Sequence, residues 1–329
     1  MKKSIIALCF LVSVCAVSAQ SYHFSQFFAT PLLTNPANTG FTDGPVRVAS
    51  NIRSQGIPGN TFFTGYLSAD LSLLRDQLTP GHKAGLGMYV MNDHSLNGAI
   101  QTNSIGMSAA YNVGFDIYGE QSFGVGFQGT YNQRRIDYSK LTFENQYGST
   151  GYDPSFSIGE PLDVNSKHFF DLNAGVSYNL MSDRKAFFAG LSVYNILQHE
   201  ENITGDEFKL PTRFNFQTGA QFLLREGDKV YMSLTTMLQG KATEITLGGA
   251  YGLLLSEMGR SEVIGGAWYR YKDAVIPYIG YQSDNFQFGF SYDFTVSSLS
   301  KGGIKNAYEM TLLFRATDKR ELKTNISWY

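Results

Sequence analysis

The feature that most constrains this chain is an apolar–polar alternation of period two that recurs along almost its whole length. Phe63, Gly65, Leu67, Ala69 and Leu71 alternate with Thr64, Tyr66, Ser68 and Asp70. Successive side chains of a β-strand point to opposite faces, so such a run has one apolar and one polar face. The pattern returns at 122–132, 170–179 and 285–293. Counting these runs predicts about 14 strands, near 47–55, 61–71, 83–92, 100–113, 121–135, 168–180, 186–196, 211–224, 229–239, 243–255, 261–272, 274–281, 285–296 and 306–317.

A soluble β-sandwich would bury the same apolar rows. Other signals favour a membrane barrel. Lys2 and Lys3, an apolar run over 5–17, and the small pair Ser18-Ala19 read as a secretion signal cleaved after Ala19. That run is too short for a spanning helix, which needs roughly 20 apolar residues. No later stretch is long enough either, so a membrane protein of this kind must span with strands. Both cysteines, Cys9 and Cys15, fall in the signal, which leaves the mature chain without thiol chemistry.

Charges follow the same alternation. Arg47, Arg53, Asp70, Asp171, Arg213, Glu244, Arg270, Asp293, Glu309 and Arg315 all sit in polar rows. They are expected to face the lumen, because a charge turned to lipid at mid-bilayer costs about 2–4 kcal/mol. The expected organisation is a signal over 1–19, a leader over 20–45, an all-β transmembrane antiparallel barrel over 46–317 and a tail over 318–329. With the N-terminus starting inside, connections after odd strands face outward. The short links 181–185 and 225–228 then fall on the periplasmic side and the long ones, 136–167 and 197–210, outside, as in outer-membrane barrels.

Residues 20–45 do not alternate. Asn35-Pro36-Ala37-Asn38-Thr39-Gly40 reads as a single helical turn with Asn35 as N-cap, Pro36 at the first position and Gly40 closing it. Thr30-Pro31 begins another. Phe24, Phe27, Phe28, Leu32 and Leu33 give the segment an apolar side that must be buried, which predicts a lumenal plug or a periplasmic gasket.

The string Phe24-Ser25-Gln26-Phe27-Phe28, then Pro31, then Asn35-Pro36-Ala37 and Thr39-Gly40, followed by Arg47 and Asn51-Ile52-Arg53-Ser54-Gln55, resembles the opening of the PorP/SprF family. That family belongs to the type IX secretion system of Bacteroidetes. The resemblance continues in Gly280-Tyr281, in Phe288-Gly289-Phe290-Ser291-Tyr292-Asp293-Phe294 and in Tyr308-Glu309-Met310-Thr311-Leu312. Two departures are Gly56, where members often carry Trp, and the long tail after Thr317. The resemblance implies a non-enzymatic accessory component in the outer membrane. Its implied partners are periplasmic and outer-membrane secretion components, outer-membrane lipid, and secreted cargo such as gliding adhesins. On that basis the leader and periplasmic turns are expected to contact the machinery, and the long outer loops to meet cargo. The alternative is a hatch-plugged channel for small or hydrophobic solutes.

Chemistry is otherwise sparse. His23, His82, His94, His168 and His199 lack metal-ligand spacing. Asp93-His94-Ser95 has the residue types of a triad, but consecutive extended residues point apart and cannot relay a proton. Gly124-x-Gly126-x-x-Gly129 matches a dinucleotide fingerprint yet opens no helix; lumenal glycines there are expected to make room for neighbouring aromatics or to mark bends in a closed sheet. Asp163, Glu200, Glu201, Asp206 and Glu207 make the outer loops acidic, a solvated surface before a calcium site. Catalytic residues, a resident metal and cofactors are therefore not expected. A net charge of −2 gives no cue for nucleic acid.

Overall fold

The computed structural model describes residues 23–316 except 43, 58–59, 75–77, 79–81, 150, 158–164, 202–207, 225–226, 257–260 and 298–305. The expected signal, the tail, and Asp163, Asp206 and Glu207 lie outside the described residues.

Fourteen antiparallel strands close into one barrel. They are β1 (Val46–Ile57), β2 (Asn60–Leu73), β3 (Lys83–Ser95), β4 (Ile100–Gly114), β5 (Gln121–Ile136), β6 (Asn165–Met181), β7 (Lys185–Tyr194), β8 (Arg213–Leu223), β9 (Lys229–Gln239), β10 (Ala242–Ser256), β11 (Ser261–Arg270), β12 (Ala274–Gln282), β13 (Phe286–Thr295) and β14 (Ala307–Arg315). Each strand pairs with its sequence neighbours, and β1 pairs with β14 to complete the ring. Closure leaves no unpaired edge, the requirement for any sheet in hydrocarbon.

The alternation maps onto the two faces as expected. Met107, Phe127 and Phe170 point outward and are 70%, 65% and 65% exposed, which suits an apolar belt against lipid and would be costly in water. Among the described residues no helix is long and apolar enough to cross a membrane. The two longest connections, 137–164 and 195–212, leave the same end of the barrel, and no connection at the opposite end exceeds the nine residues of 74–82. Each long connection holds a two-residue hairpin, Tyr147–Gly148 with Gly151–Tyr152, and Glu200–Glu201 with Phe208–Lys209.

Strand limits depart from the alternation chiefly at their ends. β3 runs through Ser95 rather than stopping near 92, and β6 begins at Asn165. Polar residues there continue the ladder without extending the apolar pattern.

Candidate functional site in the barrel lumen

The non-alternating segment lies within the ring of strands, with residues 24–42 buried. It forms three short turns, Phe27–Ala29, Pro31–Thr34 and Pro36–Asn38. Asn35 caps the third as expected, its Oδ1 accepting from Ala37 N at 2.9 Å. Gly40 ends it in the left-handed region at φ +67°, a conformation that favours glycine.

Its two ends are tied to buried charges. Near the strand ends that bear the long connections, Ser25 N donates to Glu309 Oε1 at 2.5 Å and Gln26 N to Glu309 Oε2 at 2.9 Å. The Ser25 hydroxyl donates to Asp293 at 2.7 Å and accepts from Arg53 at 2.8 Å and from Arg270. Arg53 also bridges Glu309 at 2.6 Å and Asp293 at 2.9 Å, and Arg270 bridges Asp293 at 2.8 Å. One serine hydroxyl thus joins two guanidiniums to a carboxylate. At the opposite end, Arg47 and Asp70 face each other across β1 and β2 and pair through two contacts of 2.9 and 2.7 Å. Asp70 accepts from Gly40 N at 2.7 Å, and Arg47 donates to Asn38 O at 2.8 Å. Desolvated ion pairs need such extra hydrogen bonds to offset the cost of burial.

Between the ends, the segment approaches the wall at glycines. A Cβ on Gly126 would lie 2.4 Å from the Pro36–Ala37 backbone, one on Gly175 2.0 Å from Asn35 Oδ1, and one on Gly85 2.2 Å from Thr39 O. Lumenal glycines of the 124–129 run were expected to make room for aromatics or to mark bends; Gly126, like Gly85 and Gly175, instead makes room for the leader itself. Asn35 Nδ2 donates to Val176 O at 2.9 Å, Gln128 to Leu32 O at 3.0 Å, and Ser192 to Thr34 O at 2.9 Å. Phe28 packs against Trp268 and Tyr278, with ring centroids 5.8 and 5.5 Å away.

All ten expected lumenal charges point inward. Glu244 is the most accessible, its side chain 16% exposed, and Arg315 donates to Gln287 at 2.6 Å. Asp171 meets His199 of the outer connection at 3.2 Å, and that ring stacks on Phe169. Arg213 lies over the Tyr194 ring at 4.2 Å. Of the motif residues, Phe24, Ser25, Gln26, Phe27, Phe28, Pro31, Asn35, Pro36, Ala37 and Gly40 are all buried. A periplasmic gasket, or direct docking of this stretch to periplasmic partners, is incompatible with that burial. Its apolar and polar sides are both already used against the barrel wall.

The triad-like residues separate as expected. Asp93 accepts from Thr64 at 2.6 Å, whereas His94 stacks on Phe63. Among the described residues no group of three or more histidine, cysteine or carboxylate side chains is placed to hold a metal. The leader's wall contacts at Gly126, Gly175, Gln128 and Trp268 were not anticipated. Their one sequence signal was the run of small residues on the inward rows of β5 and β6.

The profile of the type IX secretion system membrane protein PorP/SprF matches residues 16–314. The chain belongs to the PorP/SprF family. No curated protein sequence matches it. Solved barrels similar to this PorP/SprF protein include the P. putida toluene transporter TodX, at 10% identity and TM-score 0.48, covering 92% of this chain and 96% of that one. The Ralstonia pickettii toluene transporter TbuX has 9% identity and TM-score 0.47, with 87% and 93% covered. A Pseudomonas aeruginosa FadL homologue has 10% identity and TM-score 0.47, with 85% and 92% covered. These likenesses are too remote to speak to function. The family is one of secretion-system membrane proteins, which places this barrel in type IX secretion.

Proposed function

We propose that this barrel is an outer-membrane accessory component that supports export or surface attachment of cargo, including gliding adhesins, by docking to the secretion machinery. The observation that carries this reading is the family match across 16–314, together with a lumen occupied by a leader tied at both ends to buried ion pairs. A lumen held in this way suits a scaffold better than an open pore. The leader acts as an internal plug. The short periplasmic turns face the machinery, and the connections 137–164 and 195–212 face cargo. Deleting the gene should leave the outer membrane intact while a subset of exported proteins is retained. Unchanged secretion and motility in the deletion would sink the proposal.

The second reading is a plugged channel for small solutes, which would need the leader to move, since the lumenal cavity beside β8–β10 measures about 70 Å3. Solute-driven swelling of liposomes that persists after disruption of the leader motif would support it.

A further inference from the structure

The leader meets the wall nearly all round, but opposite β8–β10 it leaves a cavity of about 70 Å3 toward the outer end. That is space for roughly two waters, enough to seat a head group whose stem continues toward the outer mouth. Asn215, Met237 and Glu244 stand level on three adjacent strands, so at about 4.8 Å per strand the outer two bracket a single small group. Phe24, Leu33 and Met237 supply an apolar side, and His23 borders the same space.

Apart from the Arg213 guanidinium, the polar groups bordering this space offer acceptors. Asn215 uses its amide nitrogen toward Thr34 O, and its Oδ1 is buried with no hydrogen-bond partner among the described residues. His23 directs Nδ1 at Glu244 over 3.5 Å, and its Nε2 is likewise buried and unpartnered. Among the described residues Glu244 has only long contacts, this one and Arg270 Nε at 3.8 Å. The surrounding ion network holds four carboxylates, Glu244, Asp273, Asp293 and Glu309, against two guanidiniums, Arg53 and Arg270. Arg213 also borders the cavity, and counting it still leaves one negative charge in excess.

We propose that this cavity binds a primary alkylammonium group, which donates to Glu244, Asn215 and His23 while its stem lies along Phe24, Leu33 and Met237. The ammonium belongs to a lysine side chain of an exported polypeptide or to a free alkylamine entering from the outer mouth. The site does not depend on the docking reading, since either source reaches it by the same path.

The test uses the full chain in detergent micelles with 13C-methyl methionine, following the Met237 methyl signal during titration. Probes are n-butylammonium, N-acetyl-lysine methylamide and, as a neutral control, 1-butanol. Glu244→Gln removes the anion while Arg270 keeps Asp273 and Asp293, so the node survives. Thr235→Phe fills the cavity without changing charge. The expected result is a saturable shift with at least one amine and none with butanol, weakened at least tenfold in Glu244→Gln and absent in Thr235→Phe. A response to the lysine derivative alone assigns the site to polypeptides; a response to butylammonium extends it to free amines. No saturable shift in the unaltered protein, or equal binding by Glu244→Gln, overturns the proposal.

Discussion

Gly126→Ala should loosen the leader without unmaking the barrel. The new methyl would lie 2.4 Å from Pro36 C, Pro36 O and Ala37 N, about 1 Å inside ordinary van der Waals contact. All three atoms are backbone of a turn held by Asn35, so no side chain can swing aside. Overpacking of this kind costs about 1–3 kcal/mol, and the strain is relieved by displacing the leader. A leader that opens more often by that amount exposes its buried residues about 5- to 150-fold more. A single cysteine at Ala29, fully buried in the aromatic cluster, reports this through its rate of thiol labelling in folded protein. Gly129→Ala and Gly265→Ala are the controls, because a Cβ at either meets nothing within 4 Å. If Gly126→Ala labels at the rate of the controls while remaining folded, the close approach of leader and wall is refuted.

Arg47→Met should destabilise by about 3–5 kcal/mol by stranding the Asp70 carboxylate, and adding Asp70→Leu should restore much of that in urea titrations. Ser25→Ala leaves Asp293 short of one donor and should cost about 1–3 kcal/mol, raising labelling at Ala29→Cys as well. In the inner turns, Asp116 is held below its ordinary range by hydrogen bonds from Glu120 N, Gln121 N and Tyr118 N, and Asp228 by the Tyr251 hydroxyl and Leu254 N. Their contribution is therefore complete above the unfolded value near 3.9 and is lost as pH falls through the lower folded value. Carboxyl titration by NMR should place both midpoints below 3.9, and Asp116→Asn should remove the acid-side loss arising from its turn.

Much of the barrel was legible because period-two alternation leaves each strand a single register that faces charge inward and Phe or Leu outward. The leader's third turn was legible for a local reason, since Asn35-Pro36 fixes a helical start by chemistry within four residues. What holds the leader was not. Asn35 meets Val176 and Ser25 meets Asp293, pairs 141 and 268 residues apart, and barrel closure sets which residues meet across such gaps. Arg53 and Glu309 show the same limit. Each was readable as inward-facing, but their contact follows from β1 pairing with β14, which no local pattern announces. The glycines at 126 and 175 were visible as small inward residues, yet only the path of the opposing backbone reveals their purpose.

The docking claim is tested most directly by crosslinking in the native outer membrane, followed by affinity purification of the tagged full-length protein and mass spectrometry. Crosslinks are expected from the periplasmic turns to other components of type IX secretion, and from the connections 137–164 or 195–212 to exported cargo. Recovery of the barrel without any secretion component, under conditions that crosslink those components to one another, would contradict it.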